Sequence, residues 1–242
     1  MRIDVFLAEK GFVNSRTEAK GLLKSGAVTV NGEPITKPAF RIDGLEESVV
    51  VDRSLIKYVS RGGLKLDGAL CAFDLNPKDK LCIDVGASSG GFTDCLLQHG
   101  AKHVIAVDSG SDQLVKTIRQ DKRVTVMERF NARYMKTAHF PYRPDFAVMD
   151  VSFISATLIF EPLYNVLQKG ADFVCLVKPQ FEVGRCALGK GGIVKDEKAR
   201  NKALSNVVSF AKNVGFEPLG AIVSPITGGD GNIEFLVHFK KV

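Results

Sequence analysis

The chain has 242 residues, 45% of them hydrophobic, and a formal net charge of +6. That balance excludes an intrinsically disordered chain and leaves room for one large or two unequal domains. No apolar run reaches the ~20 residues that a membrane helix needs, and the opening Met1-Arg2-Ile3-Asp4-Val5 lacks the apolar segment of a secretion signal. The expectation is a cytoplasmic protein without stable membrane association, whose basic balance suits a polyanionic partner. Cys71, Cys82, Cys95, Cys175 and Cys186 show no C-x-x-C spacing, and Gly100 separates His99 from His103. Free thiols and no metal site are expected.

Residues 1–58 read as a small separate module. Asp4 to Lys10 forms a short helix, with Asp4 near its cap and Gly11 past its end. Ser15-Arg16-Thr17-Glu18 has the spacing of a capping box, so a second helix runs from there to about Lys24. On it Arg16, Lys20 and Lys24 fall on one basic stripe, while Ala19, Leu22 and Leu23 turn toward a core. A solvated helix face accounts for such a stripe as well as an RNA contact does. Ala27 to Ile35 then reads as two strands about an Asn31-Gly32 turn. Two short helices followed by a Gly-Ala-Val-Thr-Val-Asn-Gly hairpin resemble the small RNA-binding fold of ribosomal protein S-four, the alpha-L motif, over about residues 2–50. The resemblance implies that Arg16, Lys20 and Lys24 meet RNA phosphates.

From about residue 55 the chain reads as a connector into a second domain, 59–242. A helix from Leu64 to Phe73 carries Lys65. Next, the apolar run Leu81-Cys82-Ile83 ends in Asp84, passes through a Gly-rich turn and enters a helix from Phe92 to His99. This strand–turn–helix opens a doubly wound α/β sheet, in which ligands collect at the carboxyl ends of the strands. Glycines let the backbone approach a ligand, and a helix start offers unpaired N–H groups. The turn reads G-x-x-x-G-G, not the dinucleotide G-x-G-x-x-G, and the carboxylate of Asp84 would repel a pyrophosphate but pair with an ammonium. S-adenosylmethionine carries an ammonium and a sulfonium and no phosphate. The turn therefore reads as its site, through Asp84, Gly86, Ala87, Ser88, Gly90, Gly91 and Phe92. The strand Val104 to Asp108 delivers Asp108 as an acceptor for ribose hydroxyls. A similar turn for another nucleotide is the alternative.

A helix from Ser111 to Gln120, a strand from Val124 to Glu128 and a loop with Arg129, Asn131 and Arg133 follow. Asp145 to Asp150 is the next strand, Ala156 to Leu167 a helix, and Ala171 to Val177 a strand that runs into Lys178-Pro179. Strands alternating with helices predict a mostly parallel sheet. Residues from Glu182 to Asp196 read as a long surface loop, possible lid material, before a helix from Glu197 to Asn213. Pro218–Ser224 and Ile233–Phe239 suggest a closing hairpin about the turn Gly228-Gly229-Asp230-Gly231.

Four polar residues should reach one sheet edge: Lys65, Asp150, Lys178 and Glu234. Each alone has a bland reading, Glu234 for example as a solvent-facing residue of an edge strand. Their alternating charges at a common edge favour a site. Ser60-Arg61-Gly62-Gly63-Leu64-Lys65-Leu66, the Asp84–Asp94 turn, Asp150-Val151-Ser152-Phe153-Ile154-Ser155 and Val177-Lys178-Pro179-Gln180-Phe181-Glu182 resemble the FtsJ-like RNA ribose methyltransferases. With the front module, the chain looks most like the TlyA family, also labelled hemolysin A. The resemblance implies a Rossmann-like methyltransferase domain that uses S-adenosylmethionine, held in part by Asp150, to methylate a ribose 2′-hydroxyl, with ribosomal RNA as partner. It also implies that Lys65, Asp150, Lys178 and Glu234 surround the methyl acceptor, with Lys178 as base. A membrane-active haemolysin and an RNA-binding protein with an inactive methyltransferase domain are the rival readings.

Overall fold

The computed structural model describes the chain except residues 14–15, 25, 44–47, 53–56, 185–186 and 229, and the side chains of residues 17 and 24. Ser15, Cys186, Gly229 and the side chain of Lys24, which entered the sequence expectations, lie outside the described residues. The chain divides into two compact units, Met1–Arg61 and Gly62–Val242.

In the first unit, helices α1 (Ile3–Glu9) and α2 (Arg16–Lys24) precede strands β1 (Val28–Val30), β2 (Glu33–Pro34) and β3 (Val49–Val51). The strands form an antiparallel sheet in the order β2-β1-β3. Val30 pairs with Glu33 across Asn31 at φ 51° and Gly32 at φ 84°. Both values are left-handed, as a two-residue hairpin of type I′ requires and as Asn-Gly readily supplies. Ile3, Leu7, Leu23, Val28 and Ile42 are buried together in its core. The strand β3 had no counterpart in the sequence reading, since three valines carry no alternation and no turn signal of their own.

Helix α1 starts at Ile3 with Arg2 as its N-cap, so Asp4 is inside the helix. Asp4 is fully buried and accepts hydrogen bonds from Arg2 Nε at 2.9 Å and Arg16 Nη2 at 3.1 Å. The Arg2 hydrogen bond, above all, holds its carboxyl below the usual carboxylate range. A buried charge persists only when paired in this way. Arg16, expected on an RNA-facing stripe, thus has its guanidinium tied to α1, although its side chain remains 54% exposed.

The second unit begins with α3 (Gly62–Ala72), β4 (Leu81–Val85), α4 (Gly91–Gln98), β5 (His103–Val107), α5 (Lys116–Arg119) and β6 (Val124–Met127). It continues through β7 (Phe146–Met149), α6 (Thr157–Val166), β8 (Asp172–Val177), α7 (Pro179–Glu182), α8 (Glu197–Val214), β9 (Phe216–Val223) and β10 (Phe235–Lys241). The sheet has seven strands in the order β6-β5-β4-β7-β8-β10-β9. Strands β4 to β8 run parallel, and β10 inserts antiparallel between β8 and β9. Its inner strands read as nearly continuous apolar runs because both sheet faces are covered. Phe160 on α6 meets Phe173 edge-on at 5.6 Å and Phe239 at 5.8 Å, which fixes that helix against β8 and β10.

The helix expected over Ser111–Gln120 is reduced to one turn, Lys116–Arg119. Asp112 has φ 57°, a left-handed value that a right-handed helix cannot continue through, and neighbouring carboxylates hold the segment in that shape. Gly110 N donates to Asp108 Oδ1 at 2.7 Å. Glu128 accepts from the backbone of Asp112 and Leu114, and the Arg119 hydrogen bond first, then these donors, hold its carboxyl down to about 2. Such side-chain bonds compete directly with helix formation. Among the described residues, no helix is long and apolar enough to cross a membrane.

Candidate functional site

Successive strands leave β4 in opposite directions, toward β5 and toward β7. A doubly wound sheet opens its ligand crevice at such a switch point. Here the crevice is a cleft of about 400 Å³ at the carboxyl ends of β4, β5 and β7. At its floor Gly86 has φ 88°, and its N–H donates to Val107 O at 2.8 Å. A Cβ at Gly86 would collide with the carbonyl of Asp150, so only glycine fits between β4 and the exit of β7. On one wall, Asp108 accepts Ser88 N at 2.7 Å and Gly110 N at 2.7 Å, one on each carboxylate oxygen. Each oxygen keeps a lone pair for a further donor. Phe130, Asn131 and Ala132 form another wall, and Asp150, Ser152 and Phe153 stand at the cleft as well.

Of the turn residues expected to hold a cofactor, Gly86 and Ser88 line this cleft, as do Asp108 and Asp150. Asp84, Ala87, Gly90, Gly91 and Phe92 are buried and lie outside the cleft lining. Asp84 sits beneath the turn, where its Oδ2 accepts the Thr93 hydroxyl at 2.6 Å and its Oδ1 has no hydrogen-bond partner among the described residues. Burial pushes its carboxyl up to about 7, against the opposing hydrogen bond from Thr93. At Gly90, φ is 96° and a Cβ would meet Leu114 Cδ1 at 2.9 Å. That glycine serves the turn and its packing against the segment before α5, where the sequence had suggested room for a ligand.

The four charged residues form two ion pairs. Lys178 follows β8 and places Nζ 2.5 Å from Asp150 Oδ1 and 2.6 Å from Ser152 Oγ. Lys65, in the first turn of α3, places Nζ 2.6 Å from Glu234 Oε2. Both partners of this second pair are buried, Lys65 at 7% exposure and Glu234 at 2%. Glu234 precedes β10 and is not a solvent-facing strand residue. Gln180, in α7 just past Lys178, donates from Nε2 to Glu234 Oε1 at 3.3 Å. Gly228 also approaches Glu234 so closely that a Cβ would lie 2.5 Å from Oε1.

Two further features stand at this edge. Phe153 is 88% exposed and has φ 67°, a left-handed value that is a true outlier for an aromatic residue. Its ring lies 5.4 Å from that of Phe181. Glu182 accepts the Ser155 hydroxyl at 2.6 Å and Ala156 N at 2.8 Å, tying α7 to the start of α6. The loop after α7 is fastened by Asn232, whose amide takes Val194 N at 2.9 Å and donates to Gly192 O at 3.1 Å. Gln180, Ser152 and Gln113 were missed as site residues. Gln180 is an uncharged residue in the run Lys178-Pro179-Gln180-Phe181-Glu182, where the charged neighbours carry the sequence signal. Away from the cleft, Asp67, Cys95 and His99 each bring one potential ligand atom within 4.8 Å of the others.

Comparison with known proteins matches residues 58–241 to the FtsJ-like methyltransferase family and residues 1–48 to the S4 domain. A Brachyspira hyodysenteriae protein named hemolysin A is 43% identical over 240 residues, covering 99% of each chain. The 16S/23S rRNA (cytidine-2'-O)-methyltransferase TlyA of Mycobacterium tuberculosis is 41% identical over 239 residues, 99% of this chain and 89% of the relative. A solved Streptococcus thermophilus structure carrying a hemolysin name has 46% identity and a TM-score of 0.80, covering 100% of this chain and 88% of the other.

Proposed function

The chain belongs to the FtsJ-like methyltransferase family with an S4 domain in front, and we propose that it transfers the methyl group of S-adenosylmethionine to a ribose 2′-hydroxyl of ribosomal RNA. The relatives named as rRNA (cytidine-2'-O)-methyltransferases support that substrate. The observation that carries the reaction is the Lys178–Asp150 pair at 2.5 Å, in which Asp150 belongs to the cleft as well.

The cleft suits S-adenosylmethionine. Asp108 offers acceptor capacity for a ribose diol, and Phe130 offers an apolar wall. Among the described residues that line it, none is lysine or arginine, which argues against a phosphate-bearing dinucleotide. When bound, S-adenosylmethionine supplies an electrophilic methyl group on a sulfonium.

A 2′-hydroxyl is a far weaker acid than a reference lysine of pKa ~10.4, so its proton needs an acceptor close by as it reacts. In this reading Lys178 accepts it, and Asp150 and Ser152 aim the amine. Lys65, held by Glu234, orients the acceptor. Phe153 offers its exposed face to a base. Backbone strain of this kind costs ~1–3 kcal/mol and tends to persist where a site requires it. The front unit, with Lys20 and Lys24 and a share of Arg16, holds the RNA. A ribosomal RNA substrate also implies a cytoplasmic location.

The test is to map ribose methylation in ribosomal RNA from cells lacking the protein, then from cells complemented with the parent or with Lys178→Ala. The expected result is a 2′-O-methyl group that the parent restores and Lys178→Ala does not. No difference between cells with and without the protein would refute the proposal.

A further inference from the structure

The charged tetrad is two separate ion pairs, and Gln180 is the side chain that joins them. It stands on α7, whose N-cap is Lys178 of one pair, and its amide nitrogen donates at 3.3 Å to Glu234 of the other. The amide can face only one way. Turned over, its oxygen would oppose the carboxylate oxygen of Glu234, and two acceptors repel. In the observed orientation Gln180 Oε1 is buried without a hydrogen-bond partner among the described residues. An orphaned buried acceptor costs ~1–3 kcal/mol, a cost that an apolar residue at this position would not carry.

We propose that Gln180 is a positioning residue of the reaction, an inference that rests on the methyltransferase reading above. Its neutral N–H fixes Glu234 so that Oε2 meets Lys65, and it couples that pair to the segment carrying Lys178. Glu234 Oε1 is enclosed from two sides, by Gln180 and by the Cα of Gly228, which leaves no space for a side chain between them. The donor must be uncharged. A cation there would compete with Lys65 for Glu234, and a second carboxylate would repel it. The charged groups facing this junction are Lys65 from α3, Glu234 before β10, Lys178 and Glu182 at the two ends of α7, and Asp150 opposite Lys178.

Two variants separate this role from a packing role. Gln180→Met keeps the length and removes the donor. Gln180→Glu keeps the shape and donates to Glu234 only while protonated, because two adjacent carboxyls share a proton and one of them titrates high. Single-turnover methylation is measured from about pH 6 to pH 9 on ribosomal RNA from cells lacking the protein, alongside melting temperature and S-adenosylmethionine affinity. The Met variant should lose roughly 10- to 100-fold in rate at every pH, with cofactor affinity within about twofold of the parent. The Glu variant should be nearest the parent at the acidic end, its rate relative to the parent falling at least about tenfold as the shared proton leaves. A Met variant within about twofold of the parent, or a Glu-to-parent ratio flat with pH, would overturn the assignment. Should the Glu variant unfold, the Met variant decides alone. Lys178→Ala in the same assay keeps the two ideas apart. If it retains activity, the methyltransferase mechanism fails; if it is inert while the Gln180 variants behave like the parent, only the present inference fails.

Discussion

Asp84 gives the sharpest test of the physics beneath the cleft. Its carboxyl is fully buried, bonded to Thr93 and pushed up to about 7 from 3.8, with burial the largest cause. A group whose folded pKa lies above its unfolded value binds its proton more tightly in the native state. Its contribution is therefore fully present below about pH 4 and is lost as pH rises through about 7. The difference of 7 − 3.8, at 1.36 kcal/mol per unit, sets a ceiling of about 4 kcal/mol on that loss. Asp84→Asn keeps a side-chain oxygen for the Thr93 hydroxyl and removes the buried negative charge. Urea unfolding of the full chain at about pH 5 and pH 8 should show the variant gaining about 2–4 kcal/mol on the parent between the two values. The same variant should bind S-adenosylmethionine more weakly at pH 8, since the anion adds attraction for its ammonium and sulfonium. An equal pH dependence in parent and variant would refute the claim that Asp84 carries a costly buried charge. Unchanged cofactor affinity would reduce the residue to a structural part of the turn.

Gly86→Ala should destabilise the cleft by more than about 2 kcal/mol and abolish cofactor binding, because its Cβ meets the Asp150 carbonyl and its φ of 88° disfavours any L side chain; calorimetric titration with S-adenosylmethionine reads the loss. Lys20→Glu should weaken RNA binding and flatten its salt dependence without lowering stability. Arg16→Glu should do both, since it also strips a partner from buried Asp4; equal melting temperatures for the two variants would contradict the role given to that pair.

The alternation of strands and helices, the glycine turn and the Asn31-Gly32 hairpin were legible in the sequence because each follows from local chemistry. Apolar runs ending in Asp84, Asp108 and Asp150 marked the strand ends that build the cleft. Other features depend on contacts distant in sequence. Asp84 carries the same chemical signature as Asp108, yet one lies beneath the turn, bound by the Thr93 hydroxyl, and the other on the cleft wall, bound by Ser88 N and Gly110 N. The expected helix shrinks to the one-turn α5 because Asp112 takes a left-handed φ of 57°, in a segment that Glu128 holds from beyond its far end. Glu234 reads as part of an alternating strand, but its partner Lys65 lies 169 residues earlier. Gln180 carries no charge, so no composition or spacing argument singled it out.

The costs visible in the fold argue for one reading of this surface over its rival. A buried carboxyl with an unpaired oxygen, an exposed phenylalanine in left-handed backbone and an orphaned amide oxygen each destabilise the native state. Asp84, Phe153 and Gln180 all belong to the segments that meet at the carboxyl edge of the sheet. Strain at this edge, above strands that are paired and apolar, is the pattern of a site whose chemistry opposes its stability. A membrane-active protein would concentrate its irregularity elsewhere, in a continuous apolar face able to enter lipid. The hemolysin names borne by some relatives therefore find less support in this surface than the chemistry of a methyl-transferring cleft does.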